Sequence, residues 1–119
     1  MAEIGQYNTL KVVKQVDFGM YLDGGELGEI LLPKRFVPRG LTTGDEIEVF
    51  LYHDNENRVI ATTLKPKGVA GDIAYLEAVG TTDFGAFLDM GLMKDLFLPL
   101  SQQESRIYKG SKYLVKIVI

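Results

Sequence analysis

Apolar and polar residues alternate along this chain in short runs, each bounded by glycine, proline or Asx residues. TLKVVKQV at 9–16 interleaves β-branched and polar side chains and predicts a first strand. The pattern breaks at Gly19 and resumes in MYLD, and a lone glycine inside a strand pattern marks a bulge or a sharp bend. EILLP at 29–33 predicts a third strand that stops at its proline. In EIEVFLYH at 46–53, Ile47, Val49 and Leu51 alternate with Glu46, Glu48 and Phe50, which predicts a fourth. RVIATT at 58–63 predicts a fifth. Between the third and fourth, residues 34–45 carry Pro38, Gly40 and Gly44, so they form a loop with room for one helical turn. DNEN at 54–57 is turn chemistry, because Asx side chains bond nearby backbone and tolerate left-handed conformations.

The same pattern returns 66 residues later without a gap. DFGMYLD at 17–23 becomes DFGAFLD at 83–89, Leu32-Pro33 becomes Leu98-Pro99, and Gly44 and Val49 become Gly110 and Val115. Asp-Phe-Gly is also a protein-kinase signature, but a kinase needs a glycine-rich loop, a strand lysine and a catalytic loop that are absent here. The repeat is therefore a duplicated small fold. Five short strands per copy, with the long connection between the third and fourth, predict an all-β chain of two tandem five-stranded Greek-key OB-fold barrels. The boundaries are 1–65 and 66–119, with Pro66, Gly68 and Gly71 forming the hinge. The second copy reaches the equivalent of His53 at Ile119, so its barrel is expected to lack the last strand. Two expectations follow. One is that further C-terminal modules belong to a longer chain; the other is a strand-exchanged homodimer that fills the open edge.

Composition narrows the chemistry. With no cysteine, thiolate metal sites and cysteine nucleophiles are excluded, and a single histidine, His53, reads as a strand-end residue. Paired carboxylates such as Asp17 and Asp23 read as solvated turn residues, so no enzyme activity, metal or cofactor is expected. No apolar run of roughly 18 residues and no signal peptide appears, which predicts no membrane association and a cytoplasmic address. The formal net charge of −3 lies wholly in the first copy. A tight duplex-DNA binder usually has a basic surplus, so any nucleic-acid affinity here must come from local arrangement.

DFGAFLD, together with DFGMYLD and the Asp54-x-x-x-Arg58 turn, resembles the S1 class of OB-fold RNA-binding domains. More narrowly, DFGMYLDGG, GDEIEVFLYHD and AYLEAVGTTDFGAFLDMGLMKDLFLP are similar to the N-terminal part of the bacterial conserved virulence factor B family. That resemblance implies a non-catalytic, RNA-binding post-transcriptional regulator built from several S1-like modules. Where the family has tryptophan and proline, this chain has Met90 and Met93. The histidine that S1 domains carry near the end of the third strand is also replaced, by Leu31-Leu32-Pro33 and Phe97-Leu98-Pro99, so no third-strand stacking is expected in either copy.

Bases of single-stranded RNA stack on exposed aromatic rings. A bulge at the glycine would bring Phe18 and Tyr21 onto one face, and likewise Phe84 and Phe87; the alternative is that one of each pair packs inside the barrel. Arg58 is expected to reach that face and contact phosphate or a base plane. Asp54 either orients Arg58, accepts from a base amino group, or is a plain turn carboxylate. Lys34, Arg35 and Arg39 form the one concentrated basic patch and would track phosphates beside the rings. Weak binding of single-stranded RNA is the leading expectation, and a protein-interaction scaffold the second.

Overall fold

The first strand, β1 (Tyr7–Val16), is long enough to serve two partners. In the computed structural model, which describes residues 2–118, its first half pairs antiparallel with β4 (Glu46–His53) and its second half with β2 (Gly19–Asp23). The changeover falls between Lys11 and Val12, and just past it Val13 is an extra residue between the pairs Val12–Leu22 and Lys14–Tyr21. An extra residue bends and twists its strand, so the bulge expected at Gly19 lies instead on the opposite strand. From β2 the sheet continues to β3 (Glu29–Pro33) and, by one parallel contact between Leu31 and Ile60, to β5 (Val59–Thr62). β5 then pairs antiparallel with β4, and the barrel closes in the order β1-β2-β3-β5-β4. Closure leaves no free edge.

Gly19 has a different task. Asp17 and Phe18 form the two-residue turn of the β1–β2 hairpin, since Val16 pairs with Gly19. A β-carbon on Gly19 would run into the carbonyl oxygen of Leu32 and lie 3.1 Å from the backbone nitrogen of Lys34. That nitrogen donates to the Phe18 carbonyl at 2.9 Å. The glycine lets the hairpin close against the end of β3.

The barrel interior holds Leu10, Val12, Met20, Leu22, Ile30, Leu32, Val49, Leu51 and Ala61. Phe36, Val37 and Leu41, from the loop between β3 and β4, pack against this core. Burying a large aliphatic side chain contributes about 1.5–3 kcal/mol, so the alternation read from the sequence accounts for most of the barrel's cohesion. β4 departs from simple alternation. Phe50 and Tyr52, on its outer face, are also buried, with Phe50 edge-on to Tyr7 at 5.6 Å and stacked with Tyr52 at 6.4 Å.

The chain divides into two units, 2–64 and 65–118. The second contains β6 (Ile73–Thr82), β7 (Gly85–Leu88), β8 (Leu96–Pro99) and β9 (Lys112–Lys116) in the order β8-β7-β6-β9, the same path as β3-β2-β1-β4. Its bulge falls at Val79, the counterpart of Val13. An Asx turn recurs as well: Asp23 accepts from the Gly25 N–H and Asp89 from the Gly91 N–H, both at 2.9 Å. The core of this unit is Leu76, Ala78, Leu88, Met90 and Ile117. Among the described residues no strand bridges β8 and β9, and a cleft of about 760 Å³ lies between them. Leu96, Leu98 and Val115 are therefore half-buried, where their counterparts Ile30, Leu32 and Val49 are buried. The whole is all-β, with a closed five-strand barrel of OB type.

Candidate nucleic-acid interface

Strand pairing carries one row of side chains across the outer face of the barrel. Lys14 is opposite Tyr21, Tyr21 opposite Leu31, and Leu31 opposite Ile60, and residues paired in register share a face. The row exists because Val13 shifts the phase of β1. Phe18, in the hairpin turn, is 57% exposed, and its ring stands edge-on to Tyr21 at 6.2 Å. A groove of about 420 Å³ opens beside them, with Tyr21, Leu31, Ile60, Glu29, Asp54 and Arg58 in its walls.

The 54–58 turn is held from within. Asp54 Oδ1 accepts from the backbone N–H groups of Glu56 and Arg58, each at 2.9 Å, and Asn57 takes the left-handed φ of 61° that the turn requires. Asp54 Oδ2 accepts from Arg58 Nε at 3.1 Å, while Arg58 Nη2 reaches Glu56 Oε2 at 2.7 Å. These bonds hold the Asp54 carboxyl below the usual carboxylate range, chiefly through the Arg58 backbone N–H and against the opposing effect of burial. Arg58 itself stays 70% exposed. The result is a fixed guanidinium on the rim of an aromatic groove.

Lys34, Arg35 and Arg39 are exposed, but none of them walls the groove. Arg35 lies over the Phe36 ring at 5.7 Å. Burial and the charge of Asp54 raise the Tyr52 hydroxyl above its ordinary value, and the positive charge of Arg35 partly offsets this. The arginine's field thus reaches the end of β4.

In the second unit Phe84 occupies the hairpin turn at 80% exposure, and Phe87 lies opposite Gly80 and Phe97. The rings of Phe87 and Phe97 are 5.1 Å apart. The sequence leads to no expectation of third-strand stacking in either copy, yet in this one Phe97 is 42% exposed on the same face as Phe87. Met90 is buried in the core and presents nothing to a ligand.

Three residues on these faces escape a reading of the sequence alone. Lys14 places its ammonium 5.0 Å from the Tyr21 ring centroid and pairs with Glu29 at 3.1 Å. Phe97 is the third. For Lys14 the register depends on an unremarkable valine, Val13, and Glu29 and Phe97 are placed by the regular β2–β3 and β7–β8 ladders.

Among the described residues no group of three or more His, Cys, Asp or Glu side chains could hold a metal ion, and no helix is long and apolar enough to cross a membrane.

Residues 4–64 match the family model described as the S1 domain. Over 92 residues the chain is 39% identical to the uncharacterized protein YitL of Bacillus subtilis strain 168, a match covering 76% of this chain and 30% of that relative. A solved structure from Streptococcus pneumoniae TIGR4, a multidomain protein with nucleic acid binding domains, is similar at a TM-score of 0.77 and 20% identity. That likeness covers 95% of this chain and 41% of the other, and at such identity it speaks to fold alone. The chain thus spans less than half the length of either protein.

Proposed function

The chain belongs to the S1 domain family, and from that membership we propose that it is a non-catalytic nucleic-acid-binding module whose ligand is single-stranded RNA. One observation carries the reading: Tyr21, Asp54 and Arg58 meet around a single groove on the outer face of the barrel, with Phe18 alongside. Rings of this kind stack on unpaired bases, and a guanidinium at their edge meets phosphate or a base plane. The second unit offers a further stacking platform in Phe84, Phe87 and Phe97. A role in a bacterial post-transcriptional regulator of the virulence factor B type is part of this proposal and draws on the sequence resemblance.

Titration with a short single-stranded oligoribonucleotide at low salt, followed by NMR, tests it. Perturbed resonances at residues 17–22 and 58 are expected. Unchanged spectra there overturn the reading, and equal response to a matched DNA strand removes its RNA preference.

We further propose that the second unit is a Greek-key OB barrel whose cleft between β8 and β9 takes a fifth strand. That strand comes from a longer polypeptide or from an exchanged copy. A monomeric mass in sedimentation excludes exchange.

A scaffold for protein docking is the second reading, favoured by the exposed Ile73, Tyr75 and Leu114 on the outer face of β6 and β9. Capture of a defined partner that survives nuclease treatment would support it.

A further inference from the structure

Two cations on this face of the first barrel, Lys14 over the Tyr21 ring and Arg58 in the groove wall, already hold a carboxylate. Lys14 Nζ is 3.1 Å from Glu29, and Arg58 Nη2 is 2.7 Å from Glu56. The three acidic residues involved are not alike. Asp54 is anchored by two backbone N–H groups and grips Arg58 Nε, so it orients the guanidinium and stays in place. Glu56 is 70% exposed and holds only the outer edge of that guanidinium. Glu29 is 51% exposed and holds Lys14 where the ammonium overlies Tyr21.

We propose that Glu29 and Glu56 are resident competitors for the phosphates of the ligand, occupying the cation edges that an RNA backbone would neutralise. The inference rests on the reading of this face as an RNA site and adds to it a device that sets affinity. A phosphate arriving at Lys14 displaces Glu29, and one arriving at Arg58 Nη2 displaces Glu56. Each displaced carboxylate remains within a Debye length of the phosphate and opposes it. It also regains a counterion, so fewer ions are released overall and the dependence on salt is shallower than the count of phosphate contacts implies. Asp54 has the opposite effect, because without it the guanidinium loses its orientation.

Exposed pairs of this kind are weak, so neutralising either glutamate is expected to tighten binding about two- to five-fold. The test measures affinity of the whole chain for a short oligouridylate across a salt series, for wild type, Glu29→Gln, Glu56→Gln, the double variant and Asp54→Asn. Glu46→Gln, at an exposed glutamate opposite Lys11 in the β1–β4 ladder, makes the same change in net charge away from both of these ion pairs. The proposal expects tighter binding and a steeper salt slope for Glu29→Gln and Glu56→Gln, weaker binding for Asp54→Asn, and little change for Glu46→Gln. Equal tightening by Glu46→Gln overturns it, since the effect would then be one of net charge. Unchanged affinity of the Glu29 and Glu56 variants, with a wild type that binds and loses affinity on Phe18→Ala, overturns this inference alone. Absence of binding by every form overturns it together with the reading beneath it.

Discussion

Lys14 lies directly opposite Tyr21 in the β1–β2 ladder, with its ammonium 5.0 Å from the ring centroid. In the second unit the equivalent pair is Gly80 and Phe87, so a glycine stands where the first unit has its lysine. The duplicated fold therefore sets a lysine beside a tyrosine in one unit and a glycine beside two phenylalanines in the other.

The two residues of the first pair contribute differently to binding. Tyr21→Ala is expected to weaken affinity for single-stranded RNA by about 1–3 kcal/mol, the range for loss of one stacking ring. Lys14→Ala is expected to cost less at moderate salt and to flatten the salt dependence by less than the roughly 0.7 in log–log slope that one phosphate contact on a single strand contributes, because the displaced Glu29 takes up a counterion in the wild type. Fluorescence anisotropy over a salt series separates the two. A Tyr21→Ala variant that binds as well as wild type would place the bases elsewhere.

Gly19 is expected to be among the least replaceable residues of the first barrel. Its β-carbon would collide with the Leu32 carbonyl, and its φ of 154° is one that side chains with a β-carbon rarely adopt. Overpacking costs about 1–3 kcal/mol, and here the obstacle is backbone that cannot rotate away. Gly19→Ala should therefore lower the urea midpoint substantially. Gly25→Ala, where a β-carbon meets nothing within 4 Å but φ is 61°, should lose only about 1 kcal/mol from the backbone conformation. Equal losses in the two variants would show that the hairpin does not press on β3.

The 54–58 turn ties stability to pH. The Asp54 carboxyl is depressed in the folded chain relative to an ordinary aspartate, so the folded state binds its proton less readily than the unfolded state does. Its contribution is fully present above the unfolded value of about 4 and is lost as pH falls through the folded one. Asp89, depressed mainly by the hydrogen bond from Lys67 at 2.8 Å, acts with the same sign in the second unit. Asp54→Asn is expected to destabilise the chain at pH 7, with the gap from wild type closing below about pH 4. Denaturation midpoints at a series of pH values check this, and a gap that persists unchanged into acid would assign the loss to geometry rather than charge.

What the sequence made legible, and what it hid, follows from how each feature is encoded. The bounds of β4 match the expected 46–53, because glutamates and aliphatic residues alternate there between Gly44 and the Asx turn. The repeat was visible in the letters themselves. The bulge was not, because Val13 looks like any strand residue and its role arises only in the register of β1 against β2. Gly19 drew attention as a break in the pattern, yet its cause is the nearness of Leu32, a residue of another strand. Phe50 reads as an exposed position by alternation and is buried by contacts that periodicity does not describe. Lys14 and Glu29 sit on strands separated by β2, so no local motif joins them. Local chemistry was readable, and cross-strand register was not.

Phe97 extends the same reasoning to the second unit. It pairs with Phe87 across the β7–β8 ladder, and the two rings stand 5.1 Å apart with Gly80 on the other side of Phe87. A glycine opposite a ring leaves one flank of it open to a flat ligand, and the phenyl groups offer stacking without a charge. Phe97→Ala is expected to weaken binding of single-stranded RNA by about 1 kcal/mol, at the low end for a stacking ring because Phe87 remains. The salt slope should stay at the wild-type value, in contrast to Lys14→Ala, because no phosphate contact is removed. Circular dichroism should confirm that the variant keeps its fold, since Phe97 is 42% exposed and lies outside the core of its unit. An unchanged affinity would confine binding to the first barrel, and a changed slope would mean that a cation of the second unit works through this ring.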